Sequence, residues 1–528
     1  MLFNSHEFLF VFLPATLFGF YLLARLSRQA AILWLILTSL VFYGWWRPLN
    51  ILIIGPSIIV NYLLALFLLR LSQGGEQPRL SRAVLLAGIL FNVAFLGFFK
   101  YTDFVYGAVN DVFGANLILL HVILPLGISF ITFQKIAFLI DVQAGRVKDF
   151  TFREYCTFVL FFPQLIAGPI VHFREMMPQF AAATCRFDKE NFAVGLTLLF
   201  FGLFKKGVLA DRIAPLITPI YLHSAAGGKT PLLLAWMAAV GFTLQIYFDF
   251  SGYTDMALGL GRFFGITLPP NFNSPLKASS IIDFWLRWHM TLTRFLTAYI
   301  YNPMVLWLTR RRAVKGRPGF GGRNPSLGAF ASLLMVPLIM TMFISGLWHG
   351  AGYGFIIWGL IHGAYLVVNH GWRVYAAHRW RDRAAYARVM KPLGFVLTFV
   401  SVTTAMVFFR AATVRSAVDL VKGVFGVNGV ALHDTAAIAA TYGTDIKQAA
   451  MWVAILLFIA LVCPNTLEIL APYEPALGWK PQSTAPVLGR FRIQAWGPSL
   501  PWAVAISVVA AVAIFSTGGP SEFLYWQF

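Results

Sequence analysis

Apolar runs of membrane length recur from one end of this chain to the other. Segments long enough to cross about 30 Å of hydrocarbon lie near 8–26, 30–46, 50–70, 83–107, 117–143, 192–210, 231–249, 281–308, 327–347, 353–369, 392–410, 449–465 and 501–516. The stretches 152–172 and 252–272 are shorter or broken by Pro and Gly. They read as re-entrant or interfacial pieces, whose backbone must be satisfied by protein or by a cavity. The pattern predicts an all-α, polytopic integral membrane protein of about 11–13 transmembrane helices, with such segments around a central funnel. Residues 1–528 are expected to form a single domain. Within it, the polar stretches 411–447 and 466–500 are extramembrane loops, too short to be catalytic domains of their own. The first run, from about Phe8 to Leu23, lacks a basic leader and a small-residue cleavage site, so it is read as a retained helix.

Charge adds an orientation. Arg25 and Arg28 follow the first run, Arg70, Arg79 and Arg82 the third, and Arg146 and Lys148 the fifth. Positive loops mark the cytoplasmic side, so the N-terminus is expected outside. Arg310 to Arg312 with Lys315, Arg317 and Arg323, and then Arg373 to Lys391, form two more basic loops of the same kind. The runs 327–347 and 353–369 then make a hairpin with His349 near its far turn, unless the glycines after it end the helix early and leave it nearer mid-membrane. Charged residues are only 12% of the chain, against about 25% in soluble domains. The net charge of +20 is clustered beside apolar runs, which points to bilayer headgroups and away from nucleic acid. Cys156, Cys185 and Cys463 fit neither a metal motif nor a disulfide framework. No metal site is expected, because no His/Asp set stands at ligand spacing.

The chemistry concentrates in a few stretches. In Phe343-Ile-Ser-Gly-Leu-Trp-His-Gly350 an apolar run ends on Trp348 and His349. An ionisable group at membrane depth is expensive and calls for a function. In Phe284-Trp-Leu-Arg-Trp-His289, Asp283 and Arg287 stand four apart and can pair on a helix. Trp285, Trp288 and His289 form either an interfacial aromatic girdle or, if His289 points inward, a partner for His349. Tyr247-Phe-Asp-Phe-Ser-Gly-Tyr-Thr-Asp255 places Asp249, Tyr253 and Asp255 at the end of an apolar run. They are either polar caps of a helix end or lining groups that orient a histidine. Gln134 and Gln164, in Pro125–Gln134 and Phe162–Ile170, read as packing residues in runs where Gly and Pro permit close helix approach. His362 is expected on the face opposite His349, and His121 and His172 are expected to be solvated.

Several of these stretches, in this order, carry a resemblance. They include Met1-Leu-Phe-Asn-Ser5, Leu124-Pro-Leu-Gly-Ile-Ser-Phe130, Phe162-Pro-Gln-Leu-Ile-Ala-Gly-Pro169 and Gly202-Leu-Phe-Lys-Lys206. They continue with Phe248–Asp255, Pro270-Asn-Phe-Asn273, Phe284–His289, Gly346-Leu-Trp-His-Gly350, Phe408-Phe-Arg-Ala411 and Phe523–Phe528. The chain resembles bacterial membrane-bound O-acyltransferases of the alginate O-acetyltransferase type, nearly end to end. The resemblance implies transfer of an acyl group, acetyl first, to a hydroxyl, with the Trp-His-Gly histidine essential; that position is His349. It makes His289 the second catalytic candidate. Trp348, Trp288, Asp249, Tyr253, Asp255 and Asn273 are the candidate lining or substrate-binding residues. The stretches Leu296–Pro303 and Lys277–Ser280 depart from the family pattern, which bears on the donor and acceptor subgroup more than on the chemistry.

Acyl transfer to a hydroxyl needs a base near the acceptor and stabilisation of an oxyanion. Histidine alone has an unperturbed pKa, about 6.5, near neutrality. The chain has no Gly-x-Ser-x-Gly elbow on a strand, and no cysteine stands near either histidine in the sequence. Direct histidine-assisted transfer, with a histidine as general base, is therefore preferred over an acyl-enzyme. The expected donor is acyl-CoA (acetyl-CoA) or an acyl-carrier phosphopantetheine arriving at the basic face, with no tightly bound cofactor. The expected acceptor is an extracytoplasmic polysaccharide, reached directly or through a periplasmic acetyltransferase or acceptor protein. The expected location is the bacterial inner membrane. The competing class is a transporter or flippase subunit of a polysaccharide export system that makes no bond.

Overall fold

Lipid offers the backbone no hydrogen-bonding partner, so a run of apolar residues in a membrane closes its bonds within itself, as a helix. The computed structural model describes residues 1–74, 77–182, 186–320, 325–430, 440–481, 487–488, 493–517 and 524. Cys185, Arg323, parts of the 411–447 and 466–500 stretches and, apart from Leu524, the closing Phe523–Phe528 motif lie outside the described residues. Among those described, all regular structure is helical. Six helices are long and apolar enough to cross a bilayer: Leu49–Gln73, Pro78–Phe113, Lys189–Ala225, Leu232–Phe263, Leu327–His349 and Arg383–Arg410. Four shorter apolar helices accompany them, Phe8–Ala24, Arg28–Gly44, Ile446–Leu461 and Leu500–Ser516. The chain is a multi-pass membrane protein.

In chain order the elements used below are α1 (Phe8–Ala24), α2 (Arg28–Gly44), α3 (Leu49–Gly74), α4 (Pro78–Phe113), α5 (Ile128–Gln143), α6 (Phe152–Leu160) and α7 (Phe173–Ala182). They continue with α8 (Lys189–Ala225), α9 (Leu232–Phe263), the short α10 (Ile281–Trp285), and α11, which runs Met290–Leu296, Thr297–Tyr301 and Asn302–Val314. The last are α12 (Leu327–His349), α13 (Tyr353–Gly371), α14 (Arg383–Arg410), α15 (Val414–Val424), α16 (Ile446–Leu461) and α17 (Leu500–Ser516).

Helix α9 is the axis of the molecule, buried along nearly its whole length. Its first half, from Leu234 to Phe250, packs into one apolar core with α10, α14, α15 and α16. Its second half, from Tyr253 to Phe263, packs into another core with α1 to α8. Glycines set the closest contact. A Cβ on Gly202 of α8 would stand 2.5 Å from the Gly252 carbonyl, and one on Gly195 2.9 Å from that of Gly259. Small residues at such spacing let two membrane helices meet backbone to backbone.

Several predicted segments differ from the structure; the run 192–210 continues to Ala225, and the 411–447 stretch, expected as a loop, carries the helix α15 packed into the core. The run 117–143 begins its helix only at Ile128, because Pro125 and the left-handed Gly127 (φ 66°) break the chain there. The run 231–249 does not stop at Asp249. Helix α9 continues to Phe263, so Asp249 and Asp255 are helix-interior residues, held there by ion pairs, and are not caps of a helix end. Only the remainder of 252–272, after Phe263, is irregular. The run 281–308 is not one helix: it breaks at His289, a non-glycine residue with φ 43°. The 152–172 stretch is broken and buried, as the pattern predicted, with α6 started by a Thr151–Glu154 capping box.

Residues 264–314 run from the Phe263 end of α9 inward to His289 and out again to the start of α12. At one end of the excursion the Tyr21 hydroxyl, four residues before Arg25, donates to the Phe263 carbonyl. At the other, Arg312 bonds Ser332 at 2.9 Å and Gly328 at 3.1 Å at the start of α12. His289, the turning point, packs edge-on to Phe250 at 4.8 Å, thirteen residues before Phe263 and so ~20 Å along α9 from its basic end.

Candidate active site

Helix α12 ends on His349 because Gly350 is extended and leaves the helix. Gly350 needs its missing side chain: a Cβ there would stand 2.2 Å from the Phe355 ring. The turn that follows sends α13 back along α12, and the two cross closely. A Cβ on Gly346 would meet the Phe355 carbonyl at 2.3 Å, and one on Gly359 that of Met342 at 2.4 Å. His349 is buried at the seam of the two apolar cores. Trp348 belongs to the first, Trp358 and Phe409 to the second. Its ring lies 4.9 Å from that of Trp348, 5.1 Å from Trp358 and 5.2 Å from Phe409.

His289 reaches the same point from the re-entrant loop, with ring centroids 6.2 Å apart. Its orientation is fixed by a relay. The Ile170 N–H donates to Thr291 Oγ1 at 3.0 Å, and that hydroxyl donates to Asn271 Oδ1 at 2.6 Å. His289 Nδ1 stands 3.3 Å from the same Oδ1. A carboxamide oxygen only accepts, so His289 carries its proton on Nδ1 and turns the lone pair of Nε2 away from Asn271. The Asn271 carbonyl also accepts from the Met290 N–H, which helps hold His289 in its left-handed conformation.

The expected site residues fall into two groups. Trp348 packs against both histidines, 4.9 Å from the His349 ring and 5.9 Å from the His289 ring. Trp288 is buried one layer away, stacked on Phe284 at 5.5 Å and edge-on to Phe272 at 5.1 Å. Asn273 bonds the Arg287 carbonyl through its N–H and accepts from Asn465; the neighbour that touches His289 is Asn271. Tyr253 stacks on Phe3 at 4.8 Å. Asp249 pairs with Lys206 and Asp255 with Lys205, at 2.7 and 2.6 Å. These carboxylates bind the wide turn of α8 to α9, and their ion-pair partners among the described residues are lysines. Asp283 and Arg287 pair at 2.7 Å, as their spacing predicted.

Two other histidines depart from expectation. His362 is fully buried and faces the same aromatic cluster as His349, 4.9 Å from Trp358 and 5.2 Å from Trp285. The opposite-face expectation assumed one continuous helix, whereas the chain reverses at Gly350–Gly352. His172 is buried rather than solvated. Its Nδ1 lies 3.0 Å from the Tyr299 hydroxyl and 3.9 Å from Asp141, and burial, then the Arg294 guanidinium, hold its imidazole below its ordinary value.

Sequence reading missed Lys100 and Tyr101. From α4, Lys100 Nζ donates to the carbonyls of Trp348 and His349, the latter at 3.2 Å, and the Tyr101 hydroxyl donates to that of Leu347. The last carbonyls of a helix lack intrahelical partners, so α4 supplies them. The available signal was a lone cation at the end of an apolar stretch. Beside it lies a cavity of about 70 Å³, lined by Lys100, Pro125, Ser129, Ala167, Trp348 and His349 among others. Three of the quoted motifs thus converge on one cavity. A second cavity of about 570 Å³ opens past the α12–α13 turn, between Ala351–Phe355 and Phe408–Val414. A third, apolar groove of about 530 Å³ lies on the α1–α8 face, away from the histidines. The indole N–H groups of Trp285, Trp348 and Trp358 and both ring nitrogens of His362 have no hydrogen-bond partner among the described residues. Buried polar groups left so cost about 1–3 kcal/mol each.

The profile of the membrane-bound O-acyltransferase family matches residues 38–316. The chain is 40% identical to a peptidoglycan O-acetyltransferase of Helicobacter pylori, over 82% of this chain and 81% of that protein. The chain belongs to the membrane-bound O-acyltransferase family. This O-acyltransferase is also 35% identical to a probable alginate O-acetylase of Pseudomonas aeruginosa, over 80% of this chain and 75% of that protein. It is 31% identical to a teichoic acid D-alanyltransferase of Bacillus subtilis, over 45% of this chain and 56% of that protein. The membrane acyltransferase thus carries its paired histidines on two elements of different origin, a helix end and a re-entrant loop.

Proposed function

We propose that the enzyme moves an acetyl group from a thioester donor at the basic, cytoplasmic face to a hydroxyl on the far side of the membrane, with His349 as general base. The observation that carries this is the meeting of His349 with His289 beside a cavity of about 70 Å³. One water needs roughly 10–15 Å³ of such space, so the cavity suits a short acyl group. The re-entrant loop gives the donor a route from the basic end, and the 570 Å³ cavity gives the acceptor a route from the other. In this reading the donor is acetyl-CoA or an acetylated phosphopantetheine carrier. The acceptor is an extracytoplasmic polysaccharide, approached directly or through a periplasmic partner protein, at the bacterial inner membrane. His289 orients or shares the acceptor proton, with Trp348 packed against both rings. Trp288, Tyr253, Asn273, Asp249 and Asp255 support the walls around them.

The test is transfer of labelled acetyl from a thioester by the purified protein in vesicles. His349→Ala is expected to lose transfer by about 10²–10⁴-fold, the range for a general base, while eluting and melting as the wild type does. A folded His349→Ala variant that transfers at the wild-type rate removes His349 from the mechanism. Wild-type protein that turns over no thioester with any acceptor favours an export subunit instead.

A further inference from the structure

Lys100 stands beside His349 at the small cavity. An ammonium has three N–H donors, and two are engaged by the Trp348 and His349 carbonyls. Among the described residues no carboxylate lies within ion-pair distance of it. Lys100 lines the same small cavity as His349. A capping role alone would be met by one or two of its donors, and Tyr101 already serves the carbonyl of Leu347. The first turn of α5, Ile128–Phe130, borders the cavity too, so the positive end of that helix faces the same space.

We propose that Lys100 is a catalytic residue that stabilises the tetrahedral oxyanion of acyl transfer through its third N–H; this rests on the acyl-transfer reading with His349 as base. The acceptor hydroxyl oxygen attacks the thioester carbonyl carbon and its proton passes to His349. The carbonyl oxygen becomes an oxyanion and takes the hydrogen bond from Lys100. Collapse re-forms the C=O bond and breaks the C–S bond. The departing thiolate takes the proton from the imidazolium, leaving an ester, a thiol and unchanged Lys100 and His349. Holding the ammonium on the carbonyls of Trp348 and His349 fixes donor and base in one frame, so neither must reorganise as charge develops.

The experiment compares two donors on the full-length enzyme in vesicles. One is the acetyl thioester that supports turnover, and the other its dithioester, with sulfur in place of the carbonyl oxygen. Sulfur is a weak hydrogen-bond acceptor, so the wild type should discriminate against the dithioester beyond the ratio seen in uncatalysed transfer. Lys100→Met should lower kcat on the thioester by about 100- to 1,000-fold, the cost of one oxyanion donor, with donor KM within about threefold. Its thioester-to-dithioester ratio should fall to the uncatalysed one. Tyr101→Phe, which removes a capping bond only, should keep the wild-type ratio. A purely structural Lys100 would slow both donors equally, and an unshifted ratio in Lys100→Met overturns the proposal. If Lys100→Met does not fold, Lys100→Arg takes its place. A planar guanidinium can cap the carbonyls but cannot hold a donor at the same point, so its ratio must shift too, and an unchanged ratio overturns the proposal. Wild-type enzyme inert toward every thioester overturns the acyl-transfer reading and this inference together.

Discussion

His289 shows how one residue's conformation can decide a site. Its left-handed φ is uncommon for a residue with a Cβ, and the Asn271–Thr291–Ile170 relay holds it there. Asn271→Ala should leave the ring free to rotate. We expect kcat to fall about tenfold to 100-fold, the scale at which small misplacement of a reacting group is felt. Donor KM should change little, and Asn271→Asp, which keeps the acceptor oxygen, should recover part of the loss; initial-rate kinetics on the three proteins check this. Both histidines were legible in the sequence, because an imidazole between apolar runs is conspicuous. Their partners were not. Asn271 stands two residues from the expected Asn273, and only the fold shows which one turns toward His289. Lys100 lies 249 positions from His349, and nothing local to either announces the contact.

The pairing of α8 with α9 places charge in the bilayer and satisfies it on the spot. Lys206 Nζ lies 2.7 Å from both Asp249 and Asp211, and both Lys206 and Asp249 are buried. Removing one member of a buried pair costs about 3–5 kcal/mol, whereas replacing both together is often neutral. Lys206→Met should therefore lower the thermal midpoint of the protein in detergent sharply, and Lys206→Met with Asp249→Asn should recover most of it. Gly202→Val should also lower the midpoint, by about 1–3 kcal/mol of overpacking, because its side chain would strike the Gly252 carbonyl. Helix identity was readable from hydropathy almost throughout. Helix ends were not, where a polar group was paired at depth: the carboxylates in Phe248–Asp255 looked like the finish of a helix because their lysines lie on another one. The break at His289 was hidden for the opposite reason, since the sequence around it stays apolar and aromatic.

At the scale of the whole molecule, the site lies well inside the bundle from both of its ends. Phe409, next to the end of α14, packs on Phe242, ten residues inside α9, so the α12–α13 turn and the end of α14 lie ~15 Å below the start of α9. From the other end, the re-entrant loop carries His289 inward. Cysteine substitutions in a cysteine-free background should report this through a membrane-impermeant thiol reagent. Ala351→Cys should label from outside intact cells, and Ser27→Cys only after the membrane is opened; both positions are exposed. Labelling of Ala351→Cys and Ser27→Cys from the same side would break the assigned orientation.

Three buried histidines in a row are the usual material of a proton wire, and this membrane stores energy as a proton gradient if it is an inner membrane. The rings do not make one. With centroids 6.2 Å apart, the nearest nitrogens of His289 and His349 are about 4 Å apart at best, beyond hydrogen-bond distance. The Trp358 ring packs on both His349 and His362, at 5.1 and 4.9 Å, and the ring nitrogens of His362 have no hydrogen-bond partner among the described residues. The chain of imidazoles is therefore interrupted, and it offers protons no direct ring-to-ring path. Vesicles carrying the enzyme should hold an imposed pH gradient as long as empty ones do, and Trp358→Gly should shorten that time.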